Sequence, residues 1–420
     1  MYGGLVVTGQ PIVVIDPRSS GRDLVEELHR TGSDVTVVQP REVYRSTPGR
    51  PVPAPGPEIL AACDRPGRSP GERLPAIVPG CEHAVTIADI AAAQWGSHHN
   101  DLNTLAARRH KVAMAEAASS AGILTPWTVE CRDVGQVART VEARPAPWVV
   151  KPSDSGGSDG ARVCRSLEEA KSAAAAILGQ TTLLGHVADS LTVQEYLDGE
   201  QHFVNTVSGP AGHVVTEVFR YVLDETSGHP EIRAAVTMSV DDPRSVAAVD
   251  YVLPVLDAVG FRWGASHTEV RATSAGTRLI EFNGRAMGPT VPSQVYRRVA
   301  GHSQITELAA MLRDPWAYHR PQKLAGRRLV GWYMLAPQHP GTVTAVDASL
   351  LTSIRGVTDV RGLPQPGHRV TTDNRVTTGS FGMIFFGADS DADADRIMTE
   401  LRELELAGRA VHIDREETLV

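Results

Sequence analysis

Residues 266–285 read SHTEVRATSAGTRLIEFNGR, and how this stretch folds back on itself decides the architecture around it. The pattern is two strands and a turn. A three-residue loop, Ser274-Ala275-Gly276, puts Gly at the left-handed position that a bulge-type hairpin requires. That register predicts Glu269 opposite Glu281 and His267 opposite Asn283. Side chains alternate along a strand, so Glu281, Asn283 and Arg285 share one face, while Ile280 and Phe282 point into a core. Opposed carboxylates have Cβ atoms roughly 5 Å apart, and like charges at that spacing destabilise a sheet. A hard divalent cation offsets the repulsion, because Mg²⁺ takes oxygen from one or two carboxylates together with substrate phosphates. Asn283 offers a neutral oxygen to a second ion, and Arg285 follows where an anionic substrate would extend past the metals. The plain alternative is a solvated polar face with an incidental Glu–Arg pair. The full set on one strand, with an apolar opposite face, argues against it.

A second stretch supplies what the hairpin lacks. Residues 149–163, VVKPSDSGGSDGARV, read as strand, Gly/Ser-rich loop, strand, and such loops expose backbone N–H groups to phosphate oxygens. This is not a Walker A loop, because Lys151 precedes the glycines and no helix opens after a GK[ST]. The chain holds four lysines (Lys111, Lys151, Lys171, Lys323) against 37 arginines, so each lysine stands out. Lys151 ends an apolar strand and can reach a phosphate as a point charge. Lys111 lies in the helical run RRHKVAMAEAASSAG just upstream. Two lysines, a Gly loop and an acidic hairpin make a nucleoside triphosphate site from separate pieces. In VQEYLDGEQHF, the backbone at Glu195, Tyr196 and Leu197 suits a base edge, and Glu200 or Gln201 suits ribose hydroxyls.

Composition narrows the class. A chain of 420 residues is too long for one ordinary core and implies several domains. A net charge of −8 argues against a partner with a phosphate backbone, so no nucleic acid is expected. No apolar run reaches the length of a membrane span, and the N-terminus lacks the basic region of a signal peptide. Cys63, Cys81, Cys131 and Cys164 are scattered without a CxxC, which fits reduced thiols and a cytoplasmic protein. The N-terminal hundred residues alternate strand and helix: PIVVID, a helix over SGRDLVEELHRTG, DVTVVQP, AIVPG, then IADIAAAQWG. Residues 46–80 are rich in Pro and Gly and read mostly as loop, with a short helix at PEILAAC. SLEEAKSAAAAIL opens with a Ser cap and a Glu at the capping-box position. Residues 224–235 (DETSGHPEIRAA) read as a flexible loop. The last hundred residues, with LVGWYML, GTVTAV, GMIFFGA and a helix over ADADRIMTELREL, form a small α+β lobe.

In these pieces the chain resembles the ATP-grasp superfamily, and within it the carboxylate–amine ligases that include bacterial L-amino acid ligases. IVPGCEHAVTIADIAA resembles the end of the pre-ATP-grasp domain, RRHKVAM the helix with the first ATP lysine, and WVVKPSDSGGSDG the second lysine with its phosphate-covering loop. QEYLDGEQ resembles the adenine hinge and ribose segment, and HTEV…LIEFNGR the metal hairpin. The resemblance implies an α/β and α+β multidomain ATP-grasp fold. Its parts are a Rossmann-like pre-ATP-grasp domain over 1–108, a small subdomain over 109–190, a central domain over 191–325 and a C-terminal lobe over 326–420.

The resemblance also implies roles. Lys111 and Lys151 bind ATP phosphates, and Ser155, Gly156, Gly157, Ser158 and Gly160 close over them. Glu269 and Glu281 hold one Mg²⁺, Glu281 and Asn283 the other, with Mn²⁺ as the alternative metal. Arg285 stabilises the acyl phosphate and the tetrahedral species after it. Gly288 and Pro289 line the carboxylate pocket, and Glu82 faces the acceptor. His267 is either the base for the amine or the residue that orients Glu269. Two departures stand out. Gln201 occupies the position where the family often carries a ribose-binding Glu, and RAMGPTVPSQVYRRVAG replaces the usual R-x-G-G run. The expected partners are small carboxylate and amine substrates, on a monomer or homodimer. The competing readings are a carboxylate or small-molecule kinase and a nucleotide-binding protein without turnover.

Overall fold

The structure is a computed structural model and describes residues 9–39, 74–153, 160–182, 187–224, 231–288, 292–370 and 381–414. It divides into two compact units. The first comprises Met1–Thr216, Val246–Thr290 and Gln304–Leu324, and the second Glu217–Ser245, Val291–Ser303 and Ala325–Val420.

The first unit opens with a parallel sheet in which β1 (Ile12–Ile15) lies between β2 (Val35–Val38) and β3 (Ala76–Pro79). All of β1 is buried, which is why it reads as a continuous apolar run. Ile12, Val14 and Val78 pack with Leu24 and Leu28 of α1 (Ser20–Arg30). Val13, Ile15 and Ile77 pack with Ala88 and Ala91 of α2 (Val85–Gln94). Because β2 and β3 flank β1 on opposite sides, the carboxyl ends of β1 and β3 bound the crevice where open α/β sheets take ligands.

Helix α3 (Lys111–Ser120) leads into an antiparallel sheet of order β4-β7-β5-β6. Its strands are β4 (Thr128–Cys131), β5 (Trp148–Pro152), β6 (Arg162–Cys164) and β7 (Leu191–Glu195). Helices α4 (Val134–Glu142) and α5 (Leu167–Ile177) cover it, burying Val137, Val141, Ala170 and Ala174 against Val150 and Val193. The expected cap of α5 forms: Ser166 Oγ accepts from Glu169 N at 3.2 Å. The Glu169 carboxylate reaches back to Arg165 N at 2.8 Å.

Five long strands follow: β8 (Glu200–Gly209), β9 (Gly212–Asp224), β10 (Glu231–Thr237), β11 (Gly264–Thr273) and β12 (Gly276–Asn283). In the first unit the order is β12-β11-β8, then the opening residues of β9. Helix α6 (Pro243–Ala258) sets the Tyr251 hydroxyl where it accepts from Leu279 N at 2.9 Å. Helix α7 (Ser293–Val299) belongs to the second unit, whereas α8 (Gln304–Arg313) belongs to the first and packs Leu308 and Leu312 against α1.

The second unit carries β9-β10-β13-β17-β15, with β13 (Leu329–Met334), β15 (Val357–Arg361) and β17 (Met383–Ala388). A small sheet β16-β14-β18 joins β14 (Gly341–Val346), β16 (Arg369–Val370) and β18 (Val411–Asp414). Helices α9 (Ala348–Thr352) and α10 (Asp391–Leu406) bury Leu351, Ile397 and Leu401 against Ile384 and Phe386. The short strands of the last hundred residues thus join helices in an α+β arrangement, and the unit that holds them also takes in Glu217–Ser245 and Val291–Ser303.

Two local expectations need correction. Residues 231–235 are not loop: β10 pairs with both β9 and β13. Its charge misleads, because Arg233 is buried and donates to the Glu405 carboxylate at 2.5 Å. The β11–β12 turn also differs. Thr273 pairs with Gly276, so the loop is Ser274-Ala275 alone, and the extra residue sits at Ile280, where the register shifts. Leu279 rather than Ile280 therefore joins Phe282 in the core. The PEILAAC helix and Cys63 lie outside the described residues. No helix among the described residues is long and apolar enough to cross a membrane.

Candidate active site on the first unit

The hairpin register is the one its sequence predicts: Glu269 faces Glu281, and His267 faces Asn283. The bulge at Ile280 lies between this stretch and the turn, so it absorbs the shorter loop and keeps both carboxylates on one face. On the neighbouring strand Asn205 stands opposite His267 and Gln201 opposite Arg271, extending the same polar face.

Each acid on this face has a defined neighbour. Lys111 Nζ lies 3.0 Å from Glu281 Oε1. Lys111 opens α3, and Met114, one turn on, accepts from Phe282 N at 3.1 Å, so the same helical face grips β12 twice. Gln201 Nε2 donates to Glu269 Oε2 at 2.9 Å, and His267 Nε2 lies 3.2 Å from Glu269 Oε1. His267 Nδ1 meets Asn205 Oδ1 at 3.0 Å. With both ring nitrogens engaged, the geometry favours His267 as the residue that orients Glu269. Burial pushes the Glu269 carboxyl up, but His267, Arg285 and Lys151 outweigh it and hold the group below its ordinary value.

Lys151 is buried at the end of β5, and its ammonium donates to Gln194 Oε1 at 3.0 Å. Burial, joined by the charge of Lys111, pushes it down to about 8. An ammonium set against an amide oxygen rather than a carboxylate suits an incoming anion.

Arg285, past the end of β12, lies 2.8 Å from Glu82 Oε2, and the other oxygen of Glu82 is held by Arg109. Burial pushes the Glu82 carboxyl up, yet Arg285 and Arg109 together bring it below its ordinary value. Glu82 sits in the turn after β3, at the crevice end of the parallel sheet. Ser20 Oγ donates to Ala286 O at 3.4 Å, and a Cβ placed on Gly288 would lie 3.7 Å from Ser19 Oγ. The segment after Arg285 thus lies against the β1–α1 loop.

Of the remaining predicted residues, Glu195 accepts from Trp127 N at 3.3 Å, and Tyr196 N donates to Pro147 O at 3.4 Å. Leu197 follows β7 in the short connection to β8. Glu200 lies 2.9 Å from His202 Nε2 and stands opposite Ala272, on the other face from Glu269. Gln201 is on the site face, with its amide spent on Glu269 and Arg271. Gly160 has φ of 67°, a conformation natural to glycine. Ser155, Gly156, Gly157, Ser158 and Pro289 lie outside the described residues. Sequence reasoning passed over Arg109, Gln194 and Asn205. The first was legible only as part of the RRHK run.

The donor set of Glu269, Glu281 and Asn283 is all oxygen, two of the groups are anionic, and the two carboxylates oppose each other. It fits a hard cation such as Mg²⁺ and not a soft one.

Residues 144–293 match the ATP-grasp domain family. The L-amino acid ligase of Bacillus licheniformis superposes with a TM-score of 0.75 at 18% identity, covering 98% of this chain and 100% of that one. This is the ATP-grasp fold. The carboxyaminoimidazole ribonucleotide synthase of Aspergillus clavatus, solved with ATP, shares it at a TM-score of 0.65 and 14% identity, covering 95% and 99% of the two chains. In sequence, the chain is 28% identical over 340 residues to dapdiamide A synthase of Enterobacter agglomerans, covering 79% of each. The ATP-grasp match takes in Lys151, the Gly-rich loop, the whole hairpin and Arg285.

Proposed function

We propose that the protein is an ATP-dependent ligase joining the carboxylate of one amino acid to the amine of another. The observation that carries this reading is the opposed pair Glu269–Glu281, with Lys111 held to it, and Arg285 next along the same chain segment. The names of the similar proteins, dapdiamide A synthase and L-amino acid ligase, support it.

In the proposed reaction a substrate carboxylate oxygen attacks the γ-phosphorus of ATP and ADP leaves. The amine nitrogen then attacks the acyl carbon, phosphate leaves, and the amine gives up a proton. Lys111 and Lys151 bind the phosphates, and the buried Lys151 gains its full charge when an anion arrives. Glu269 and Glu281 would hold one Mg²⁺, Glu281 and Asn283 a second. When bound, Mg²⁺ neutralises phosphate charge and fixes the phosphates for in-line transfer. Gln201 and His267 keep Glu269 turned toward the metal side. Arg285 stabilises the negative charge that develops on the acyl group, a preorganised electrostatic role. Backbone groups from Glu195 to Leu197 take the adenine, and Gly288 begins the carboxylate pocket.

The test is ADP release from MgATP with the twenty proteinogenic amino acids, singly and in pairs, with products read by mass spectrometry. ADP formed with pairs, together with a new amide, is the expected result. ADP formed with a single amino acid, together with an acyl phosphate that hydroxylamine converts to a hydroxamate, and no amide in any pair, would make the protein a carboxylate kinase.

A further inference from the structure

Arg109 has no role in the proposed reaction, yet it holds one oxygen of the Glu82 carboxylate, whose other oxygen lies 2.8 Å from Arg285 Nε. Its sequence neighbours explain its placement. Arg108 is fully buried: its Nε donates to Asp89 at 2.8 Å, and its guanidinium also reaches Val259 O at 2.8 Å and Asp101 O at 2.9 Å. His110 precedes α3 and accepts from Ala113 N at 3.5 Å. Lys111 turns to Glu281. The backbone is therefore pinned on both sides of Arg109. Its guanidinium meets Glu82 from a rigid base, and both side chains are mostly shielded from water.

Glu82 has two oxygens and two arginines. A carboxylate bonded at one oxygen only can rotate about its last torsion, but one held at both cannot. With Arg109 on Oε1, Oε2 stays turned to Arg285 Nε. Arg285 Nη1 donates to Ala286 O at 3.0 Å. Among the described residues Oε2 takes no hydrogen bond, so Glu82 holds Arg285 by charge at 2.8 Å, and the planar fork of Arg285 is kept beside that carboxylate rather than bonded to it.

We infer that Arg109 is a positioning residue for the reaction: through Glu82 it sets the orientation of Arg285 toward the substrate anion. This rests on the proposed role of Arg285. Arg109 itself need not touch the substrate.

The test pairs a structure with kinetics. A crystal structure of ligand-free Arg109→Leu is expected to show the Arg285–Glu82 contact broken, with β11–β12 unmoved. If Arg285 stays on Glu82 as before, the inference is wrong. With MgATP and the amino acids that give product, Arg109→Leu should lower kcat about a hundredfold, the scale of a misplaced catalytic group. It should also raise KM for the carboxylate substrate and leave KM for ATP unchanged. Arg109→Lys should restore most of the loss and also guards against a misfolded leucine variant. Arg109→Leu/Arg285→Leu should be no slower than Arg285→Leu alone, because the two act as one unit. Additive losses, or equal rises in both KM values, would overturn the inference while leaving the ligase reading intact. Full activity in Arg285→Leu would instead sink the reading of the site, and this inference with it.

Discussion

In the second unit, buried Arg233 lies 2.5 Å from Glu405 and 3.4 Å from Asp224, and Glu405 also accepts from Arg402 at 2.6 Å. In the first, buried Lys151 lies 3.0 Å from an amide oxygen, and two carboxylates face each other across a hairpin. The first arrangement is closed: each charge meets its opposite, and Ala336 N adds a further bond to Glu405 at 2.9 Å. The second puts like charges together, Glu269 with Glu281 and Lys111 near Lys151, although Lys111 also pairs with Glu281, and burial with the charge of Lys111 pushes Lys151 down. Buried charge paired within the fold holds the fold. Buried charge set against its own sign is arranged for a ligand that brings the missing counter-charge.

The comparison breaks if the two clusters respond alike to loss of an acid. Glu281→Ala should lower ADP release about a thousandfold, the upper scale for a preorganised electrostatic group. Its urea midpoint should move less than that of Glu405→Ala, because relief of the repulsion with Glu269 offsets part of the cost of leaving Lys111 without its partner. Glu405→Ala should do the reverse. Leaving Arg233 buried with only the more distant Asp224 should cost up to about 3–5 kcal/mol in urea unfolding, while the folded enzyme keeps its turnover. Loss of turnover with unchanged stability in Glu405→Ala would mean that the lobe cluster is not merely structural.

A smaller effect sharpens the contrast through pH. Lys151 titrates at about 8 when folded, against about 10.4 in an unfolded chain. The unfolded state thus binds more protons between these values, so this group makes stability rise with pH across about 8 to 10. Nucleotide phosphates should restore its charge. ATP binding at pH 9 should take up a proton, seen as a binding enthalpy that depends on the buffer, and affinity should weaken up to about tenfold per pH unit above 8. Lys151→Met should abolish the proton uptake; persistence of the uptake would assign it to another group.

Legibility followed the physics of each feature. Strand alternation is local and put Glu281, Asn283 and Arg285 on one face, but the pairing of Glu269 with Glu281 holds only because the bulge at Ile280 offsets a turn one residue shorter than expected. The bulge was not readable, since it depends on whether Leu279 or Ile280 better fills the core beside Phe282. Lys111 and Lys151 stood out in a chain that otherwise writes arginine, and the same bias hid Arg109 among 37 arginines. Arg233 misled because a charge in a short run suggests solvent, and Glu405, which neutralises it, arrives only with α10.

By itself, the sequence determined which chemical groups share a strand face, where helices begin, and that two lysines and a Gly loop accompany an acidic hairpin. Those follow from periods of two and 3.6 residues and from turn chemistry, all set by near neighbours. The tertiary structure alone decided which acid meets which base: Glu82 between Arg109 and Arg285, Glu281 with Lys111, Gln201 on Glu269. Such pairs join segments far apart in the chain, and only the packing of sheets and helices brings them within a few ångströms.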